Sequence, residues 1–223
     1  MRAPFARCVR IMDRVSWQAL LTRWNAELLD TPDVLRNLVS PEVVESGWLG
    51  YPPATEEQIA AAESRIGKRL PPSYRAFLEV SNGWRLLGHF HWDVLPADRI
   101  EWFRVKNQDW IDAYQHPYAS GSFPAVTDDE YFVYGNQQSD LAFRLEYLDA
   151  LLEVSGVGDS VILLLNPEIV FPNGEWEAWD FGTWYPGAHR YRSFWDMMLH
   201  LHQAFLRLKN DPPARSSNDD SNG

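Results

Sequence analysis

Cysteine is all but missing from this 223-residue chain. Cys8 stands alone, which rules out an intrachain disulfide and a thiolate-rich metal site and leaves no need of an oxidising compartment. Long apolar runs are missing too. The stretch VILLL, Val161 to Leu165, is far too short to span a bilayer and reads as a buried strand. Positive charge is scarce: 20 Lys and Arg stand against 31 Asp and Glu, a net charge of -11. Such a surface repels nucleic acid and anionic membrane alike, so neither is expected as a direct partner. Near the start, Arg7, Arg10 and Arg14 interrupt any apolar core of a secretion signal. The cytoplasm is the expected location, and Met12 is an alternative start to Met1.

What is present is enough apolar mass for one core, at 45% hydrophobic and 14% aromatic residues. Trp17, Leu20, Leu21, Trp24 and Leu28 recur at helical spacing, with Ser16 as the candidate cap and an end near Asp30. Thr31-Pro32 and Ser40-Pro41 each pair a hydroxyl cap with an N1 proline, predicting two short helical segments. The most heavily punctuated stretch runs from Gly50 to Arg85. TEEQ, Thr55 to Gln58, is a capping box; Ile59, Ala62 and Ile66 form a stripe; Gly67 is placed to end the helix. Pro71-Pro72 then starts a second helix with Tyr74, Phe77 and Leu78 facing the core, ended by Asn82-Gly83.

Beyond Gly83 the pattern becomes short aromatic and β-branched segments divided by Gly, Pro and Asn. Strands are expected at WRLLGHFHWDVL, EYFVYG, SVILLLNP, GEWEAWDFGTW and HRYRSF. In the fourth, Glu175, Glu177 and Asp180 intersperse with Trp176, Ala178 and Trp179, which predicts one buried face and one carboxylate-bearing face in water. SFWDMMLHLHQAFLRL restores a helical stripe through Met197, Leu201, Phe205 and Leu208. From Asp211 the chain has no apolar anchor and is expected to be disordered.

The Pro-Pro-Ala-Thr-Glu-Glu start, the small-residue helix closed by Gly67, Leu-Pro-Pro-Ser-Tyr-Arg-Ala-Phe-Leu and Ser-Asn-Gly together resemble the helical hairpin of the SUKH superfamily, in its Smi/Knr-type domains. SFWDMML resembles the end of such a domain. The resemblance implies an α+β fold, an antiparallel sheet flanked by helices. It divides the chain into an N-terminal helical extension (1–48), the SUKH-like domain (49–208) and a polar tail (209–223). It also implies binding without catalysis, and no cofactor. In bacteria such domains serve chiefly as immunity proteins that neutralise a polymorphic toxin; the alternative is a regulatory interaction module akin to fungal regulators of cell-wall synthesis.

Chemical readings of particular residues stand behind that one. His89, His91 and Asp93 would share a strand face and so approach a metal, but no further ligand motif accompanies them. His200 and His202 sit two apart on a helix and point in different directions. Asp128, Asp129 and Glu130 are an acid/base pair, a cation site or, as the favoured reading, a solvated loop. Ser155 to Ser160 lacks the lysine of a phosphate loop and reads as a turn. For a protein partner, a basic toxin such as a nuclease fits the charge. The expected contacts are the acids Asp128, Asp129, Glu130, Glu175, Glu177 and Asp180, with Trp184 and Tyr185 as apolar anchors.

Overall fold

Asp13, rather than Ser16, caps the first helix: its carboxylate accepts the Ser16 amide at 2.9 Å, and helix α1 (Arg14–Leu29) follows. The computed structural model describes residues 13–35, 38–115, 125–182 and 187–210. The tail from Asp211, Cys8 and both candidate start methionines lie outside them. α1 buries Trp17, Leu20, Leu21, Trp24 and Leu28, the expected stripe. The two hydroxyl-proline pairs begin α2 (Pro32–Leu35) and α3 (Pro41–Ser46). Ser40 makes no capping bond, so the preset φ of Pro41 starts that turn, and Gly47 closes it at φ 69°.

In the hairpin, α4 (Glu56–Ile66) opens with both halves of the Thr55–Gln58 capping box and ends on Gly67 at φ 70°. α5 (Pro72–Leu78) turns Tyr74, Phe77 and Leu78 inward. Arg75 of α5 reaches back to Glu56 and Glu63 of α4, locking the two helices together. Thr55→Ala is expected to cost about 1 kcal/mol through the lost cap. No atom lies within 4 Å of where a Cβ on Gly67 would sit. Gly67→Val therefore costs stability through backbone strain alone, about 1–2 kcal/mol. Denaturant melts read both, and full stability in either variant would contradict this account of the hairpin.

The helix α5 lacks a cap of its own, because the residue before it is Pro71. The missing acceptor comes from 102 positions away: Glu175 accepts the Ser73 amide at 2.8 Å and the Ser73 hydroxyl at 2.7 Å. The Ser73 carbonyl in turn accepts the Trp17 indole at 2.9 Å. One small residue thus joins α1, α5 and the turn that leads into Trp176.

The sheet is an antiparallel meander in the order β1-β2-β3-β4-β5. Its strands are β1 (Glu101–Trp102), β2 (Leu152–Glu153), β3 (Val161–Val170), β4 (Trp176–Gly182) and β5 (Gly187–Tyr191). Between β1 and β2 run α6 (Phe103–Lys106), α7 (Gln108–Gln115), α8 (Asp128–Tyr131) and two 3-10 turns, Gly135–Gln137 and Leu145–Ala150. After β5, α9 (Phe194–Asn210) closes the described chain.

Residue alternation divides the core between the two faces of this sheet. Leu163, Leu165, Trp176 and Ala178 pack with α1, α4, α5 and α9. Ile162, Leu164, Trp179 and Phe181 pack with Phe103, Ile111, Tyr131, Phe143 and Leu148 from the segment between β1 and β2. Both faces are covered, which is why VILLL is apolar without a break.

Two expected strands are absent as such. In WRLLGHFHWDVL only Trp84 and Val94 make isolated bridges, Trp84 to both Gly50 and Val94. Gly83 at φ 102° and Gly88 at φ 155° bend the chain away from a ladder. EYFVYG begins instead in α8, which Thr127 and Glu130 start with a second capping box. There the local cap outweighs the β-type composition.

Candidate functional site

The acids singled out from sequence fall into two groups. Glu175, Glu177 and Asp180 are buried, at 4%, 0% and 8% exposure. The expected water-facing carboxylate face of β4 is therefore corrected: β4 lies between β3 and β5, the segment between β1 and β2 covers the face that carries Glu177, and Asp180 lies on the other face. Glu175 caps α5, as above. Asp180 lies 2.9 Å from the His91 ring.

Glu177 is the centre of a buried polar cluster. It accepts from the hydroxyls of Tyr131 (2.6 Å) and Tyr134 (2.8 Å), the Trp179 indole (2.6 Å) and the Asn166 amide (3.1 Å). The fully buried Arg190 guanidinium lies 3.7 Å away. An ionised carboxylate only accepts, so this ring of donors suits it. Burial, and then Glu177, push the Tyr131 and Tyr134 hydroxyls well above the ordinary phenol range, so both stay donors. The cluster fastens α8 and the residues after it to β4 and β5.

Glu175 carries a pH dependence. Burial, opposed by the Ser73 bonds and reinforced by Asp196, raises its carboxyl above the ordinary value. A raised folded-state value means that the folded chain holds this proton more tightly than the unfolded chain. The stability linked to it is complete below the ordinary carboxylate range and is lost as pH rises through the raised value. Glu175→Gln, neutral at every pH, is therefore expected to gain stability relative to the wild type as pH rises from about 4 to 7. Denaturant melts at several pH values check this, and a difference that shrinks with rising pH would contradict it.

The second group, Asp128, Asp129 and Glu130, is exposed on α8. Asp128 pairs with Arg144, whose guanidinium lies over the Tyr131 ring at 4.6 Å. Glu130 turns back to accept the Thr127 amide at 3.0 Å, and the Thr127 amide followed by its hydroxyl lowers the Glu130 carboxyl below its ordinary value. Asp129 makes no hydrogen bond or ion pair among the described residues. It lines a groove of about 370 Å³ together with Glu130, Gln137 and Ser139 and the apolar Ala125, Val126, Val133, Leu141 and Ala142. Leu141 is 53% exposed.

The groove sits in an acidic part of the chain. Residues 103–150 hold eight Asp or Glu against three Lys or Arg, a net -5 and nearly half of the total -11 in about a fifth of the length. Apolar floor, carboxylate rim and surrounding negative field together suit an apolar side chain flanked by cationic ones.

Sequence reasoning found the rim and missed the floor. Val126, Val133 and Leu141 follow no helical or strand period, and the available signal was the Thr-x-x-Glu box at Thr127–Glu130, the same signature as TEEQ. Trp184 and Tyr185, the expected apolar anchors, lie outside the described residues.

The histidine readings resolve into packing contacts. Asp93 accepts the Gly156 amide at 2.8 Å, and His202 bonds Glu27 while its ring lies 5.0 Å from Trp24. Among the described residues no group of three or more His, Cys, Asp or Glu is placed to hold a metal ion, and no helix is long and apolar enough to cross a membrane.

The model of the SMI1/KNR4 family (SUKH-1) matches residues 53–199, well over half of the chain. The match begins at the α4–α5 hairpin and ends within α9. No curated protein matches the chain.

Proposed function

This chain belongs to the SMI1/KNR4 family (SUKH-1), and on that premise we propose that it acts by binding a basic protein through the groove beside α8. Members of the family are often immunity proteins, so the finer reading is the neutralisation of a toxin, with a nuclease as the type of target that the charge favours. The observation that carries the proposal is the acid-rimmed apolar groove, set in a segment of net negative charge. Such a field speeds encounter with a cationic surface, while the apolar floor retains the bound side chain. The binding unit proposed is 49–208, with residues 1–48 as its extension.

The α4–α5 hairpin has a different part in this reading. Its caps and inward apolar residues support the sheet face opposite the groove, so it serves as scaffold. Co-expression with the product of the adjacent gene tests the proposal. Growth rescue together with a stoichiometric complex is expected. Several unrelated partners with no rescue would favour a regulatory interaction module instead.

A further inference from the structure

One wall of the groove is built on the open edge of β5. Residues 137–141 alternate: Gln137, Ser139 and Leu141 line the groove, whereas Gln138 and Asp140 face β5. The Asp140 carbonyl accepts the Ala188 amide at 3.0 Å. The Gln138 side chain acts as a short strand, accepting the Arg190 amide at 2.7 Å and donating to the Arg190 carbonyl at 3.0 Å. The fit is close, for a Cβ on Gly187 would run into the Asp140 carbonyl oxygen and the Phe143 ring.

Between these two side chains lies His189. Its Nδ1 is 2.8 Å from Asp140 Oδ1, and its Nε2 is 2.9 Å from Gln138 Nε2. A backbone N–H only donates and a backbone carbonyl only accepts, so Arg190 dictates which way round the Gln138 amide stands. Its NH₂ must therefore meet His189 Nε2, and that nitrogen must offer a lone pair. The imidazole is accordingly neutral with its proton on Nδ1, donated to Asp140.

We propose that His189 gates the groove wall: the neutral ring holds residues 137–142 on the β5 edge through both Gln138 and Asp140, and protonation releases the Gln138 hold. An imidazolium carries N–H on both nitrogens, so Nε2–H would confront the Gln138 NH₂. Turning the amide over would relieve that contact, but would set NH₂ against the Arg190 N–H and oxygen against oxygen. No orientation of Gln138 satisfies both the cation and the strand edge. The Asp140 contact survives as a charge-assisted bond, so the wall loosens at its Gln138 end.

The groups around the ring come from every packed element. Asp180 stands opposite His189 in the β4–β5 register and engages His91 from the 88–93 segment. From α9, His200 stacks on His189 at 5.3 Å. Arg207 lies within electrostatic reach of both His200 and Tyr191, and the Tyr191 ring is 5.0 Å from His189. Asp140 and Asp180 favour a cation here, whereas Arg207 opposes one. His200 has its own value lowered, first by burial and then by His189 and Arg207.

The functional meaning of this gate rests on the groove reading, but its test needs no partner. Amide exchange of the full chain, corrected for the intrinsic rate, is followed between about pH 5 and pH 8, where histidine changes charge. Protection of the Arg190 amide is expected to fall about tenfold on acidification, on the scale of one hydrogen bond, while Leu163 in β3 is unaffected. His189→Asn is expected to remove the pH dependence. Gln138→Glu, whose carboxylate can accept from the imidazolium, is expected to reverse it. Ring nitrogen shifts should report the Nδ1–H tautomer at high pH. Flat protection of Arg190 in the wild type, or an Nε2–H tautomer, would overturn the gate while leaving the groove reading intact. A partner indifferent to groove substitutions would sink the groove reading while leaving the gate intact.

Discussion

Glu177→Ala is expected to lower stability by about 3–5 kcal/mol, a large part of the margin of an ordinary domain. Glu177 and Arg190 are both fully buried. Removing the carboxylate leaves a desolvated guanidinium without its counter-charge. It also strands the Tyr131, Trp179 and Asn166 donors that share one carboxylate oxygen. Glu177→Gln should cost less, because one oxygen still accepts while the new NH₂ must face donors. Denaturant melts of both variants separate a structural carboxylate from a surface one. A Glu177→Ala protein that melts like the wild type would show that this network does not hold α8 on the sheet.

The second large effect is expected in partner binding. Asp129→Lys reverses the rim charge that is not already paired, and should slow association about tenfold at low salt with little change in dissociation. Raising salt beyond about 0.15 M, where the screening length is about 8 Å, should narrow the difference from the wild type. Leu141→Asp should act differently. It removes part of the apolar floor and hastens dissociation by a factor corresponding to about 2 kcal/mol. Neither change should disturb folding, since Asp129 has no partner among the described residues and Leu141 is half exposed. Binding kinetics across ionic strength measure both, and salt-insensitive association untouched by Asp129→Lys would remove electrostatic steering from the account.

The hairpin was legible because its determinants are local. A capping box, a glycine in the left-handed region and paired prolines act within a few residues of where they stand. The same holds for α9 and for the three long strands, whose apolar patterns are set by direct neighbours in the sheet. Glu175, Glu177 and Asp180 were misplaced for the opposite reason. Whether Glu177 meets water depends on residues 103–150, which cover its face of β4 with short helices and 3-10 turns that have no long period, whereas Asp180 lies on the other face against His91. Glu175 is the sharpest case: it caps a helix that begins 103 positions earlier, at Pro72. The exposed acids on α8 were found, but as a loop before a strand, because Tyr131, Phe132 and Val133 suggest β structure more strongly than a single capping box opposes it.

The groove follows from the same physics. Its floor is assembled by Val126 and Val133, on either side of α8, and by Leu141, held in place by contacts to β5. None of these residues is marked by type or spacing, so only the folded chain brings them beside Asp129 and Glu130. The family hairpin, by contrast, is the most recognisable part of the sequence and supports the opposite face of the sheet.

The central claim, that a basic protein partner seats on this groove, is tested most directly by amide exchange of the chain alone and in complex with the co-expressed partner. The account predicts that added protection centres on residues 125–142, with α4 and α5 unchanged, and that the Asp129→Lys and Leu141→Asp double variant loses that protection while melting like the wild type. Protection centred instead on the α4–α5 hairpin or the outer face of α1, with residues 125–142 unchanged, would contradict it.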